Sequence, residues 1–554
     1  MQLDAKNGDT KWRDAEIYEL DKIHSYNTFK NLGRHANKPV GYQMIKVHMV
    51  YAVKHDGRRR ARLVAGGHMT ETPVDSVYSG VVSLKSVRVI AFLAELNDLE
   101  LWSTDIQSAY LEAETKEKIC IIAGPEFGDL AGCLLIILKA LYGLRGSGKY
   151  WHEHLSRILR EMGFLPCKAD PDVWMRKMRD HYEYIGTYVD DLELASKDPL
   201  AIITTLREKY MLTLKEAGLI TYHLGCAFVR DEAGNLCFSP KGYIVRMIDA
   251  YIRMFGCKPK EYSSPLEKGD HPEINTSAEL DIEDLTKYQS LIGQIQWAVS
   301  LGRIDVTTAV MTMSGFRANP REGHLDRVKR IVGYLSKFKD GAITIRTEEP
   351  DFSSLPEKKY DWEHSVYGDV QELLPDDAPE PLGKPVVLTT YVDANLYHDL
   401  ITGRSVTGII EFVNKTPLDW YSKKQNTVET STYGSEFVAG RTATERAIDN
   451  RTMFRYFGVH VKGSTMMFGD NESVVDSSTI PHSRLHKRHS ALSYHRVREA
   501  IAAGVISFHH LSGKLNPADV LSKHWGHTQV WQLLRPLMFW SGDTRNIPAE
   551  STQD

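Results

Sequence analysis

Tyr188-Val189-Asp190-Asp191 sets two adjacent carboxylates between apolar runs: Tyr184, Ile185, Tyr188 and Val189 lead in, and Leu192, Leu194 and Ala195 lead out. This pattern predicts a β-hairpin with the Asp pair at its tight turn. Crowded acids repel one another and favour the neutral form, so an Asp pair at a turn needs either full solvation or a cation. A solvated turn would carry the same string, and the chemistry therefore depends on a third carboxylate. Asp105 supplies one. Ahead of it, apolar residues from Ser86 to Leu96 fall at helical spacing and Asn97-Asp98 marks a turn; Glu100 to Ile106 then reads as a short strand on which Asp105 shares a face with Leu101 and Ser103. Two divalent ions shared by Asp105, Asp190 and Asp191 would lower the pKa of an attacking hydroxyl, clamp a triphosphate and stabilise the leaving oxygen of an in-line displacement.

The elements that must position these acids belong to a longer ordered series. Lys11-Trp12-Arg13-Asp14-Ala15, Arg60 to Gly66, Ser103 to Leu111 and Leu141-Tyr142-Gly143-Leu144-Arg145 precede the Asp pair; Leu224-Gly225, Tyr288 to Gly293, His324 and Arg330 to Leu335 follow it. In this order the strings resemble the reverse transcriptase and ribonuclease H region of copia-type long-terminal-repeat retrotransposon polyproteins. The resemblance is collinear over nearly the whole chain. It implies an α/β (α+β) multidomain protein: a right-hand polymerase with fingers, palm and thumb, then a ribonuclease H-like mixed sheet with flanking helices. It further implies that Asp105, Asp190 and Asp191 are catalytic metal ligands, with Mg²⁺ or Mn²⁺ as cofactor and two ions per active site.

Tyr110 resembles the aromatic gate that rejects a ribose 2′-hydroxyl, with a core aromatic as the competing reading. Lys54, Arg60 and Arg62 resemble the basic fingers that hold an incoming triphosphate, although most basic runs are solvated faces. Trp151, Leu155, Ile158, Leu159 and Met162 form a helical apolar stripe and are read as core.

A second constellation follows a change in composition. Residues 347–384 are acidic, poor in Lys and Pro-rich, without sustained periodicity, and read as a linker. Beyond them, Val386 to Val392 alternates like a strand and delivers Asp393. Ser431 to Asn450 reads as a helix with Glu436 near its start, and Met466 to Phe468 as a strand delivering Asp470. Asn516-Pro517 reads as a helix start, whose N-terminus is expected to hold Asp519 in its charged form. Spacing alone does not select these four among the 72 acids. The choice rests on strings that resemble the ribonuclease H domain of the same polyproteins: Tyr391-Val392-Asp393-Ala394, Thr402 to Gly408, Trp420 to Gln425, Ser435 to Ala439, Asp470-Asn471 and Ala518 to Lys523. The resemblance makes Asp393, Glu436, Asp470 and Asp519 catalytic ligands of a second two-metal site. The basic run Arg484 to His489, with Tyr494 to Glu499, also fits the family and offers positive charge to a nucleic-acid backbone, an exposed helix face being the alternative.

Two departures bear on activity. Gly146 and Gly148 stand where the family usually has Gln and Pro, and two extra glycines are expected to loosen a loop near the templating base. Gly434 stands where the family often has a first acid before the one matched by Glu436. An alternative to the active enzyme is therefore a decayed or domesticated copy that binds nucleic acid or partners without catalysis.

Composition sets outer bounds. The 554 residues suffice for several domains, and 42% apolar with 25% charged residues is ordinary for a globular chain. A net charge of -4 leaves nucleic-acid contact to local patches. Six cysteines without a C-x-x-C pair argue against a disulfide framework and a zinc knuckle, and no run of 18 apolar residues exists. The expected partition is an N-terminal extension at 1–37, fingers and palm at 38–230, thumb and connection at 231–346, the linker at 347–384, the ribonuclease H-like domain at 385–545 and a tail at 546–554. The expected partners are an RNA template, a DNA primer, their hybrid, deoxynucleoside triphosphates and other polyprotein products, with no membrane. The expected location is the cytoplasm, inside virus-like particles, or the nucleus.

Overall fold

The structure is a computed structural model that describes residues 2–53, 57–71, 76–356, 360–485, 490–526 and 532–534. Lys54, His486 to His489 of the basic run and the 546–554 tail lie outside the described residues.

The first carboxylates sit on a six-stranded sheet ordered Leu214–Leu219, Glu100–Ile106, Asp191–Ser196, Tyr182–Tyr188, Val173–Lys177 and Leu165–Pro166. Helices cover both faces. On one, Leu84–Leu96 starts at Ser83, whose side chain accepts the Ser86 amide, and ends before left-handed Asp98. It is apolar nearly all round and buries Val87, Val89, Ile90, Phe92 and Leu93, as a helix sandwiched between two layers must. On the other face, Ser147–Glu161 buries the expected stripe of Trp151, Leu155, Ile158 and Leu159.

The N-terminal residues differ from the expected extension. Phe29–Gly33 is an edge strand of a four-stranded sheet with Leu134–Ile137, Ile119–Ile122 and Gln43–Met44, and helix Lys11–Ser25 packs on strand Arg59–Ala65. Residues before 38 are thus built into the fingers, because Trp12 and Ile23 bury there. The expected boundary at 230/231 also shifts. It would cut the hairpin in which Cys226–Arg230 pairs with Leu236–Ser239, and this hairpin belongs with Tyr222–His223 and Ile343–Thr344 to a small connection sheet. Helices Lys241–Phe255, Ile282–Ser300, Thr307–Ser314 and Glu322–Lys337 complete that region.

Among its described residues the acidic linker has no helix or strand after Thr344 until Leu388, yet it is pinned. Glu372 takes paired hydrogen bonds from both Arg451 and Arg455, Glu380 pairs with Lys177, and Lys384 pairs with Asp98. The C-terminal domain has a five-stranded sheet ordered Thr416–Lys424, Arg404–Val413, Leu388–Asp399, Thr465–Gly469 and Ile506–His510. The first three strands are antiparallel and the last two join in parallel, with helix Thr432–Tyr456 laid across the sheet. This is the mixed sheet expected of the ribonuclease H-like domain. One apolar core runs through palm, connection and this domain, from Phe92 and Tyr184 through Tyr288 and Tyr334 to Phe412 and Phe454.

Candidate active sites

Asp105 and Asp191 lie directly opposite each other on adjacent antiparallel strands. The hairpin closes one residue earlier than expected. Tyr188 pairs with Asp191, so the turn is Val189-Asp190 and Asp191 opens the return strand. Val189 takes φ +59°, a left-handed conformation that a β-branched residue adopts only under constraint. Two hydrogen bonds supply that constraint: Trp151 Nε1 donates to the Val189 carbonyl at 2.7 Å, and the Ile106 amide donates to the Asp190 carbonyl at 2.8 Å. Burial and then Asp105 raise the Asp190 pKa, against the opposing charges of Arg62 and Arg60. Burial, Asp190 and Asp105 push Asp191 up to about 7. A divalent cation would supply the counter-charge these neighbouring acids lack, although their ligand atoms do not all come within 4.8 Å of one another.

A cleft of about 770 Å³ opens beside Asp105 and Asp190. Arg59 and Arg60 line it from the fingers, Lys215 from the palm edge, and Lys11, Asp14 and Tyr18 from the N-terminal helix. The helix residues were not selected from sequence as site residues, although the Lys11 to Ala15 string was itself the signal. Arg62 stacks on Tyr142, 4.8 Å from the ring centroid, and Tyr142 in turn meets Tyr110 at 5.1 Å. Burial and the neighbouring Asp190 charge raise the Tyr110 pKa, so its ring lies within electrostatic reach of the acids.

The expectation of a loosened loop at Gly146 and Gly148 is corrected. Gly146 caps helix Ser147–Glu161, and its amide donates to Glu117 Oε1 at 3.0 Å. A Cβ there would come within 2.7 Å of the Tyr150 ring, and one at Gly148 within 2.9 Å of Ser79 Oγ. Both glycines allow close packing against neighbours at the start of a helix and do not stand in a loop.

In the C-terminal domain, strand Leu388–Asp399 carries Asp393 at its centre, longer than the strand expected to end at Val392. Helix Thr432–Tyr456 runs beyond Asn450 and presents Glu436 in its first turns; strand Thr465–Gly469 ends one residue before Asp470. Ligand atoms of Asp393, Glu436 and Asp470 all lie within 4.8 Å of one another, and Asp393 is fully buried. Burial, Asp393 and Asp470 hold Glu436 well above the carboxylate range, and burial with Asp393 raises Asp470. Such a donor set fits a hard divalent cation.

Asp519 is near but apart. Asn516 does cap the following turn, accepting the Ala518 amide, but Pro517–Leu521 is a single 3₁₀ segment and not a helix of useful dipole. The expected stabilisation of charged Asp519 fails. Burial and Asp393 push Asp519 up to about 7, with Lys523 opposing. Lys523 pairs with Asp519 and lies 3.3 Å from Asp393, while Ser522 Oγ donates to Asp393. Lys523 closes the Ala518 to Lys523 string, but nothing local in the sequence marks it as a site residue.

Residues 27–266 match the family model described as reverse transcriptase (RNA-dependent DNA polymerase). They are a copia-type reverse transcriptase domain. The reverse transcriptase domain and the region after it align together with curated polyproteins. The chain is 25% identical over 525 residues to the retrovirus-related Pol polyprotein from transposon TNT 1-94 of Nicotiana tabacum, covering 91% of this chain and 36% of that protein. It is 23% identical over 532 residues to the corresponding polyprotein from transposon RE1 of Arabidopsis thaliana, covering 94% and 33%. The chain thus spans about a third of the length of these relatives. Among solved structures, a foamy viral protease-reverse transcriptase in complex with an RNA/DNA hybrid is 12% identical, with a TM-score of 0.32 over 89% of this chain and 73% of that one. Ribonuclease H1 from the archaeon Halobacterium salinarum NRC-1 is 17% identical, with a TM-score of 0.20 over 24% and 93%. In the reverse transcriptase domain of this chain, the acids expected from sequence are Asp105, Asp190 and Asp191, and the fold sets Asp105 and Asp191 on neighbouring strands and Asp190 in the hairpin turn just before Asp191.

Proposed function

We propose that the chain is an RNA-directed DNA polymerase of a copia-type retrotransposon whose C-terminal domain cleaves the RNA strand of RNA/DNA hybrids. The observation that carries this reading is the pair of crowded carboxylate clusters: one beside a basic-walled cleft in a reverse transcriptase domain, the other on a mixed sheet of ribonuclease H-like order. Asp105, Asp190 and Asp191 would hold Mg²⁺ or Mn²⁺ in the palm, and Asp393, Glu436, Asp470 and Asp519 in the second site, with two ions in each. When bound, these ions would activate the attacking oxygen and neutralise charge on the transferring phosphoryl group.

The protein's own groups do the rest. Arg60 and Arg62 orient an incoming deoxynucleoside triphosphate from the fingers side of the cleft, and Lys11 and Lys215 add charge to its other walls; Lys54, outside the described residues, keeps the triphosphate-binding role that the resemblance implies. Tyr110, braced by Tyr142, is the ring that a ribose 2′-hydroxyl would meet. The RNA template, DNA primer and their hybrid are held through backbone and shape, since a copying enzyme gains nothing from sequence preference. A cytoplasmic or nuclear setting, with particle assembly and association with other polyprotein products, belongs to the same proposal.

The test is metal-dependent extension of a DNA primer on an RNA template by the purified chain, with Asp190→Asn as control. Extension that the substitution removes supports the reading. A folded chain that binds hybrid but extends nothing in Mg²⁺ or Mn²⁺ overturns it in favour of a binding protein.

A further inference from the structure

The segment that carries Asp519 and Lys523 is held from outside its own domain as well as from within it. Thr308 Oγ1, on connection helix Thr307–Ser314, donates to the Val520 carbonyl at 2.8 Å, and this bond is buried. The Gly269 amide, also in the connection, donates to the His524 carbonyl at 3.2 Å. Thr312 Oγ1 lies 3.4 Å from Nε2 of His524 and 3.4 Å from Nε2 of His398, whose rings stand 4.9 Å apart. His398 is on the strand that bears Asp393, so one threonine touches both chain segments that lead to the second site. Within the domain, the segment is tied by Asn516 Nδ2 to the Val392 carbonyl at 2.9 Å, by Trp525 Nε1 to the Asp519 carbonyl at 3.2 Å, by Ser522 Oγ to Asp393, and by Lys523 to Asp393 and Asp519.

A five-residue 3₁₀ turn has few hydrogen bonds of its own, and the acids it must approach repel it. The contacts from the connection therefore add to the in-domain ties in setting where Asp519 stands. We infer that connection helix Thr307–Ser314 helps complete the ribonuclease H-like site, with Thr308 as a positioning residue that steadies the Pro517–Leu521 turn and through it Asp519. The inference rests on the hybrid-cleaving reading of that site. It makes the second activity dependent on the connection region through a built contact, in addition to any shared substrate. Outer contacts of metal-ligating groups commonly alter affinity or activity by ten-fold or more.

The test uses the full chain with Thr308→Val, which keeps shape and removes the donor, and Thr308→Ser, which restores it. Two readouts are needed. Amide hydrogen exchange of the metal-free chain should be about five-fold faster across Pro517–Lys523 in Thr308→Val and near wild type in Thr308→Ser. Hybrid cleavage should fall about ten-fold, with a higher Mn²⁺ concentration at half-maximal rate, while primer extension is unchanged. Unchanged exchange, or faster exchange with unchanged cleavage and metal dependence, overturns the inference. If wild type cleaves no hybrid, the functional reading of the site fails, and the exchange result alone judges whether Thr308 holds the turn. If Thr308→Val does not fold, Thr312→Val carries the same measurements from the second contact.

Discussion

The palm acids come from two adjacent strands and the turn that joins one of them to its neighbour, so backbone pairing alone brings them together. The acids of the C-terminal site come from a strand centre, a helix start, a strand end and a 3₁₀ turn, and only the tertiary fold joins them. The two sites also manage repulsion differently. The palm acids are half-buried, beside an open cleft with arginines on its far wall. Asp393, Glu436 and Asp519 are buried, and Lys523 is placed among them. A locally built site can stay open and strained at one residue. A non-locally built one needs packing and counter-charge from several directions.

The largest expected effect separates the sites outright. Asp190→Asn should reduce primer extension by roughly a thousandfold or more and leave hybrid cleavage intact, and Asp470→Asn should do the reverse, since each removes a ligand charge worth several kcal/mol at the transition state. If either substitution abolished both activities, the clusters would not be independent sites and the comparison would break.

Metal affinity should sharpen it next. Asp191 and Asp519 both titrate near 7 in the metal-free chain, above the carboxylate range of an unfolded chain. The folded state therefore keeps protons that the unfolded state gives up, and the stability of the metal-free chain should fall as pH rises from about 4 to about 7. Metal must displace those protons, so its affinity should rise over the same window, by about ten-fold per unit for each proton released, and level off above it. Calorimetric Mn²⁺ titrations of the Asp190→Asn and Asp470→Asn chains at several pH values would report the remaining site in each. A pH-independent affinity would mean that repulsion is not what the ion relieves.

How much of this was legible in sequence follows the same division. Asp105, Asp190 and Asp191 could be argued from strand alternation and a turn string, with the turn misplaced by one residue because local pattern does not fix hairpin register. Asp393, Glu436, Asp470 and Asp519 were reachable only through resemblance, since nothing in a strand or helix period says which distant acids converge. The contributions of Lys523 and Thr308 depend on which surfaces pack, and no local rule carries that. The fingers boundary at 37 failed for a related reason: the Lys11–Ser25 helix and the Phe29–Gly33 strand are ordinary locally and gain their place from partners far along the chain.

Glu193 offers a smaller test. It lies on the palm strand two residues after Asp191, fully buried, with neither carboxylate oxygen hydrogen-bonded among the described residues, and burial holds it well above the carboxylate range. Other buried acids are answered: Glu411 by Arg446 and Asn450, Asp305 by Arg303. Glu193→Met should therefore raise the unfolding free energy by about 1–3 kcal/mol in urea melts, without loss of primer extension. Destabilisation would mean that Glu193 has a partner in solution and that the palm is as fully compensated as the C-terminal site.

The smallest effect concerns Val189, where strain in the palm is most local. A left-handed L-residue costs roughly 1–2 kcal/mol. Val189→Gly removes that cost, but it loses about 1 kcal/mol of side-chain burial and adds roughly 0.5–1 kcal/mol of backbone entropy. The net change should lie near zero. Val189→Ala loses the same packing and keeps the strain, so it should be the less stable of the two by about 0.5–1 kcal/mol. Their order in unfolding midpoints is the informative quantity, because packing losses nearly cancel between them. Gly above Ala means the turn is held against its preference by Trp151 and Ile106, and extension by Val189→Gly should then slow as the tip loses rigidity. Ala at or above Gly means the left-handed turn costs nothing there, and the palm tip would owe its shape to register alone.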